Sequence, residues 1–239
     1  DGATLRLEEA VRAYRAALEV WDRDKYPLDW AMALNNLGAA LRQLGANKVD
    51  RKLLEESVAV FRLSLQERVR TRNPLAWTST QSNMAIALTW IGELFEDQAA
   101  LREAVKTYRL VLEELPVDRL PGRWADTQNN LGSALQRLGE IESSTDRLNE
   151  AAAAYRKGLS INTRSQMPLA WAVTILNLTQ VVGEIARRTK NSTGLDEILT
   201  TARDARELLN ERGNAQQVAR ADLVIATVIK VKEGLATGP

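Results

Sequence analysis

The sequence predicts an all-α solenoid of about ten antiparallel helices, and three observations carry that expectation. Prolines at 27, 74, 121 and 168 recur at a constant step of 47 residues, and each is followed three positions later by a tryptophan, Trp30, Trp77, Trp124 and Trp171. Other series keep the same step: Leu7, Leu54, Leu101, Leu148 and Leu195; Tyr14, Phe61, Tyr108 and Tyr155; Asn36, Asn83, Asn130 and Asn177. A register held without insertion or deletion means that each unit packs on its neighbour in the same way, because one slipped residue would rotate every side chain off its face. Finally, the apolar positions inside a unit follow the period of a helix, and no alternating strand pattern survives anywhere.

The first half of a unit is a helix beginning at its proline. Trp30, Leu34, Leu37, Leu41 and Leu44 share one helical face. Proline suits the first turn, where its missing N–H would have had no partner. Gly45, Gly92 and Gly139 are expected to end these helices in the left-handed conformation. The second half is a helix opened by Asp50, Asp97, Ser144 and Asn191, whose side chains can accept from the free N–H groups of a first turn. Leu54, Val58, Phe61 and Leu65 then line its apolar face. The expected organisation is one solenoid over 1–239: a lone second helix at 4–22, hairpins at 27–70, 74–115, 121–165 and 168–213, and a capping first helix at 215–233. In that last helix Val218 replaces the tryptophan and Val224 the asparagine, as suits a terminal unit. The opening helix carries an apolar stripe, Leu7, Val11, Tyr14 and Leu18, whose usual partner helix is missing, so self-association through it is expected.

These residues resemble the tetratricopeptide repeat. Its first helix carries a Leu-Gly pair, present here as Leu37-Gly38 and Leu131-Gly132, with Met84-Ala85 and Leu178-Thr179 in the other copies. Its second helix carries Ala, an aromatic four residues on, then Ala-Leu, matched by Ala10, Tyr14, Ala17 and Leu18 and in part by Ala104, Tyr108 and Leu112 and by Ala151, Tyr155 and Leu159. The family's unit is about 34 residues long, so this one is extended. Part of the excess lies between the closing glycine and the second helix's small residue, where two added turns keep the buried face in register. Long units of this kind are similar to those of bacterial scaffold and signalling proteins, and distantly to kinesin light chain repeats.

The resemblance implies a right-handed solenoid that binds a peptide or protein segment along a concave face floored by the first helices. It gives Asn36, Asn83, Asn130 and Asn177 the task of holding a ligand backbone, for which a carboxamide offers both donor and acceptor. The competing reading makes them structural amides that tie adjacent helices together. The family geometry adds Asn35, Arg42, Gln43, Trp90, Asp126, Asn129, Gln136 and Arg137 to the same faces. Trp90 lies outside the repeat register and is a candidate exposed anchor. The alternative function is an oligomerisation arm or sensor module of a larger signalling protein, without peptide capture.

Composition narrows the classes. Lys plus Arg number 32 against 31 Asp plus Glu, so no global field draws in nucleic acid or an anionic membrane. The runs Arg68-Val69-Arg70-Thr71-Arg72 and Arg187-Arg188-Thr189-Lys190, expected near helix ends, lack the interleaved aromatics of a single-strand binder. Arg15, Arg109 and Arg203 each precede a glutamate by four residues, which predicts pairing along the helix. There is no cysteine and no histidine, no phosphate loop and no metal-ligand spacing, so neither catalysis nor a cofactor is expected. No apolar run suggests a membrane span and no leader pattern opens the chain, which points to a cytoplasmic protein. The chain starts at Asp1 rather than Met, as a processed product or an excised part of a longer protein would.

Overall fold

The computed structural model describes residues 2–237. These form ten helices: α1 (Gly2–Val20), α2 (Pro27–Lys48), α3 (Arg51–Ser64), α4 (Pro74–Phe95), α5 (Gln98–Glu114), α6 (Pro121–Ile141), α7 (Thr145–Leu159), α8 (Pro168–Thr189), α9 (Leu195–Glu211) and α10 (Ala215–Ala236). No strand occurs among the described residues, and within each of two units consecutive helices pack as the hairpins of an all-α repeat. The chain divides into two compact units, one ending at Pro116 and the other starting at Val117. In the first unit α1 packs on α2, α2 on α3, α3 on α4 and α4 on α5, and α2 also meets α4. In the second, α6–α7 and α8–α9 are hairpins, α7 meets α8, α9 meets α10, and α8 lies against both α6 and α10. First helices therefore stand side by side within each unit.

The prolines sit at the first turn of α2, α4, α6 and α8, as the sequence predicts. The helix ends differ from the expectation. Gly45, Gly92 and Gly139 lie inside their helices, which run on past them. The left-handed residues that follow the first helices are Val49, Glu96, Ser143 and Lys190, again one every 47 positions and none of them glycine. At the end of α2 the Asp50 N–H donates to Gly45 O at 2.8 Å and the Val49 N–H to Ala46 O at 3.3 Å, a Schellman closure with valine in the left-handed place. The glycines serve close approach instead. A Cβ on Gly92 would lie 2.2 Å from Leu101 Cγ, and one on Gly45 2.9 Å from Leu54 Cγ.

Asp50 ends one helix and caps the next, accepting from the N–H groups of Lys52 and Leu53. Asp97 caps α5 through Ala100 N–H and Ser144 caps α7 through Arg147 N–H. Asn191 departs from this pattern: it accepts from Thr193 N–H in a turn, and α9 begins only after Gly194. The φ of +80° at Gly194 is incompatible with a helical turn, so the start is delayed.

The core is a ladder of second-helix side chains pressed against small residues of the first helices. Leu54, Leu101, Leu148 and Leu195 are fully buried, as are Phe61, Tyr108 and Tyr155. Gly38 and Gly132 leave room for Phe61 and Tyr155, whose rings come within 2.7 and 2.6 Å of where a Cβ would stand. Burial pushes the Tyr108 hydroxyl well above its ordinary range, and its neighbour is Thr89 Oγ1 at 3.5 Å.

The opening helix is better covered than its sequence implies. Val11 is buried against Leu34, Leu37, Leu41 and Leu44, and Leu7, Tyr14 and Leu18 are half-buried around the same cluster, because α2 packs on this stripe. In addition, α8 is long and apolar enough to cross a membrane by length and composition, contrary to the sequence reading that no run suggests a span. Its apolar residues are those of a core helix: 56% of the window is buried between neighbours, including Ala172, Ile175, Leu176 and Val181.

Candidate functional site on the first helices

In the first unit α2 and α4 are tied by amides. Asn35 is buried at 9% exposure, and its Oδ1 accepts from Asn83 Nδ2 at 3.2 Å and Thr80 Oγ1 at 3.1 Å. Asn35 Nδ2 in turn donates to Asn36 Oδ1 at 3.3 Å, and Arg68 Nη1 donates to Thr80 Oγ1 at 3.1 Å. The second unit repeats the arrangement between α6 and α8: Asn129 Oδ1 accepts from Asn177 Nδ2 and Thr174 Oγ1, both at 3.2 Å. One carboxamide oxygen thus receives a threonine and an asparagine from the next first helix. Asn35 and Asn129, expected on an open face, lie between helices, because the adjacent position carries the side chain about 100° around the axis.

The other expected site residues scatter along these faces. Asn36, Asn83 and Asn130 are half-buried, and Asn177 is buried at 9%. Gln43 is exposed and donates to Asn47 Oδ1, while Asp126 is exposed on α6. Gln136 accepts from the Tyr155 hydroxyl at 3.1 Å and donates to Glu140, which also meets Arg137 at 3.4 Å. Trp90 is at the surface with 36% exposure. Arg42 is half-buried, its Nε is buried with no hydrogen-bond partner, and burial holds the guanidinium below its ordinary range.

A cavity of about 670 Å³ opens in the second unit between α6, α8 and α10. Glu140 and Ser143 line it from the α6 end, Glu184, Arg187 and Arg188 from α8, and Arg220, Leu223 and Val228 from α10. Glu184 forks to both neighbours, at 2.6 Å from Arg187 Nη2 and 2.5 Å from Arg188 Nε. The Arg187 hydrogen bond, followed by that of Arg188, holds the Glu184 carboxyl below its ordinary range against the opposing effect of burial. Arg188 Nη1 also donates to Gly139 O at 3.1 Å, fixing the end of α8 against α6. Arg220 donates to Asn177 Oδ1, so the fourth asparagine of the ladder orients a cation.

Sequence reasoning placed Arg188 only in a basic run near a helix end, and it missed Thr80, Thr174, Glu184 and Arg220. A signal for the last existed: its register position holds Met32, Ser79, Asp126 and Val173 elsewhere, so a cation appears there only in α10. It also missed Arg23, Arg70 and Arg164, stacked 5.1, 5.6 and 5.9 Å from the ring centres of Trp30, Trp77 and Trp171. Arg15 and Arg62 do not pair along their helices. They reach the next second helix, at Glu56 (2.6 Å) and Glu103 (2.8 Å), because parallel neighbouring helices bring those carboxylates closer. The Arg68–Arg72 run lies beyond the end of α3, in the connection to α4. Among the described residues no group of three or more His, Cys, Asp or Glu could hold a metal ion.

Two segments, 30–67 and 124–163, match the family model described as tetratricopeptide repeat. They cover most of the hairpins α2–α3 and α6–α7. Comparison with curated proteins gives no match. Among solved structures, one described as a circular tandem repeat protein with novel repeat topology and enhanced subunit contact surfaces is similar at 16% identity and a TM-score of 0.42. The alignment covers 97% of this chain, which spans 64% of the length of that one. These two segments are therefore similar to the tetratricopeptide repeat, a class of module that generally mediates contacts between proteins.

Proposed function

We propose that the chain is a protein-interaction module whose second unit receives a segment of a partner protein on the first-helix face, in the cavity between α6, α8 and α10. The observation that carries this reading is the cavity itself, at about 670 Å³, with an aliphatic wall from α10 facing charged groups from α8. Apolar surface supplies affinity, and a few fixed polar groups supply orientation. On this reading the chain contributes recognition and no chemistry of its own.

A photoreactive side chain placed at Thr227, on the cavity wall, tests this in the native cell, with Ala153 on the exposed side of α7 as control. The expected result is a defined protein adduct from position 227 and none from 153. Equal labelling, or labelling at 153 alone, overturns the proposal.

A second reading, self-association through α1, rests on a narrower observation. Leu7 and Tyr14 are only half-buried, whereas Leu54, Leu101, Leu148, Phe61, Tyr108 and Tyr155 in the same register positions are fully buried. Sedimentation of the wild-type chain and Tyr14→Glu separates the two. Dimers lost in the variant support the arm, and a wild-type monomer at high concentration removes it.

A further inference from the structure

We infer that Arg220 is the anchor for an acidic side chain of the bound segment, with an aliphatic side chain of that segment seated one turn further along α10. The inference rests on the groove reading above and specifies the chemistry of its occupant.

The charges around the cavity are unequally satisfied. Arg187 and Arg188 share Glu184, and Glu140 on the opposite wall is engaged by Gln136 and Arg137. Arg220 has no carboxylate partner among the described residues. Its one hydrogen bond goes to the neutral oxygen of Asn177. A guanidinium carries five N–H donors in a planar fork, and Arg220 lines the cavity, so most of its capacity has no protein acceptor. Burial holds Arg220 below its ordinary range and no carboxylate offsets that cost, which is the condition in which an arriving carboxylate gains most. Asn177 fixes the fork beforehand, so little orientational freedom is left to lose on binding.

The repeat register sharpens the argument. Met32, Ser79, Asp126 and Val173 show that stacking needs no cation at this position. Its appearance in α10 alone is a departure that packing does not explain. Nearby, Leu223 is 69% exposed at the cavity lip where α8 buries Leu176 and the earlier first helices carry Asn35, Ser82 and Asn129, and half-buried Val231 lies beyond it. Leu223 lies about one turn from Arg220, roughly 5 Å along the axis. An extended segment covers that distance in about two residues at ~3.3 Å each. The occupant therefore presents Asp or Glu with Ile, Leu or Val two positions away.

The test uses the full chain and a displayed library of random peptides about a dozen residues long, an extended reach of roughly 40 Å. Peptides that block crosslinking at position 227 should carry an acidic residue two positions from an aliphatic one. Changing that acid to its amide in a synthetic copy should weaken binding by about tenfold or more, equivalent to about 1.4 kcal/mol. Arg220→Met should do the same while Arg206→Gln, whose partner Asp222 lies on the outer side of α10, should not. The peptide-side change leaves the protein untouched, so the result does not depend on how the variant folds. Cavity peptides without the acid, or binding indifferent to both changes, would overturn the inference and leave the groove reading standing. If no peptide competes at position 227, both fall together.

Discussion

Substituting Gly92 by alanine should destabilise the first unit, although glycine in a helix interior ordinarily costs about 0.5–1 kcal/mol relative to alanine. The reason lies in the approach of α5. A Cβ at this position would fall 2.2 Å from Leu101 Cγ and 2.5 Å from its Cδ2, and Leu101 is fully buried at the start of α5. Moving a buried leucine, or the turn that bears it, is an overpacking cost of about 1–3 kcal/mol. Subtracting the helical gain leaves a net loss of about 1–1.5 kcal/mol at the middle of that range. Val49→Gly should act in the opposite direction. Its φ of +51° costs a branched residue about 1–2 kcal/mol, and the unfolded-state entropy of glycine returns about 0.5–1 of that, so a gain of about 0.5–1 kcal/mol is expected. Urea unfolding followed by circular dichroism reads both values. If Gly92→Ala proves neutral or stabilising while Val49→Gly destabilises, the assignment of close packing to one position and left-handed closure to the other is wrong.

Three further outcomes follow from the same geometry. Asn35→Leu should cost about 1–3 kcal/mol, seen as a lower melting temperature, because the Asn83 amide loses its buried acceptor, whereas Asn36→Ala should cost less than half as much. Arg62→Gln should change stability by less than about 1 kcal/mol, since its pair with Glu103 is solvent-exposed. The Asp97 carboxyl is held below its ordinary range first by the Ala100 N–H and then by Arg51. Its stabilisation is therefore complete above the ordinary carboxylate range, near pH 4, and is lost as pH falls through the lower folded value. Asp97→Asn keeps a capping acceptor but should flatten the decline of melting temperature below that pH, and an unchanged slope would remove the carboxylate from the account.

Much of the scaffold was legible because a constant register multiplies weak signals. One proline before one tryptophan says little, but four at a single spacing place the helices, and Asp50, Asp97 and Ser144 cap where they were expected. The glycines misled for a physical reason. Left-handed closure and close helix approach both select a missing Cβ, and sequence does not distinguish the two when they lie within a turn of each other. Pairing was also ambiguous: Arg15 has Glu19 one turn away on its own helix, yet Glu56 lies nearer in space. Among Asn35 and Asn36, the one buried between helices depends on a rotation of about 100°, finer than an apolar stripe defines. The cavity was illegible because α6, α8 and α10 build it together.

The most direct measurement is hydrogen–deuterium exchange on the chain with and without a saturating peptide selected on it. If the first helices of the second unit receive the segment, backbone amides of α8 and α10 around Glu184 and Thr227 gain protection while those of α7 and α9 keep their free-state rates. Protection confined to α7 and α9, or to α1, would contradict the account.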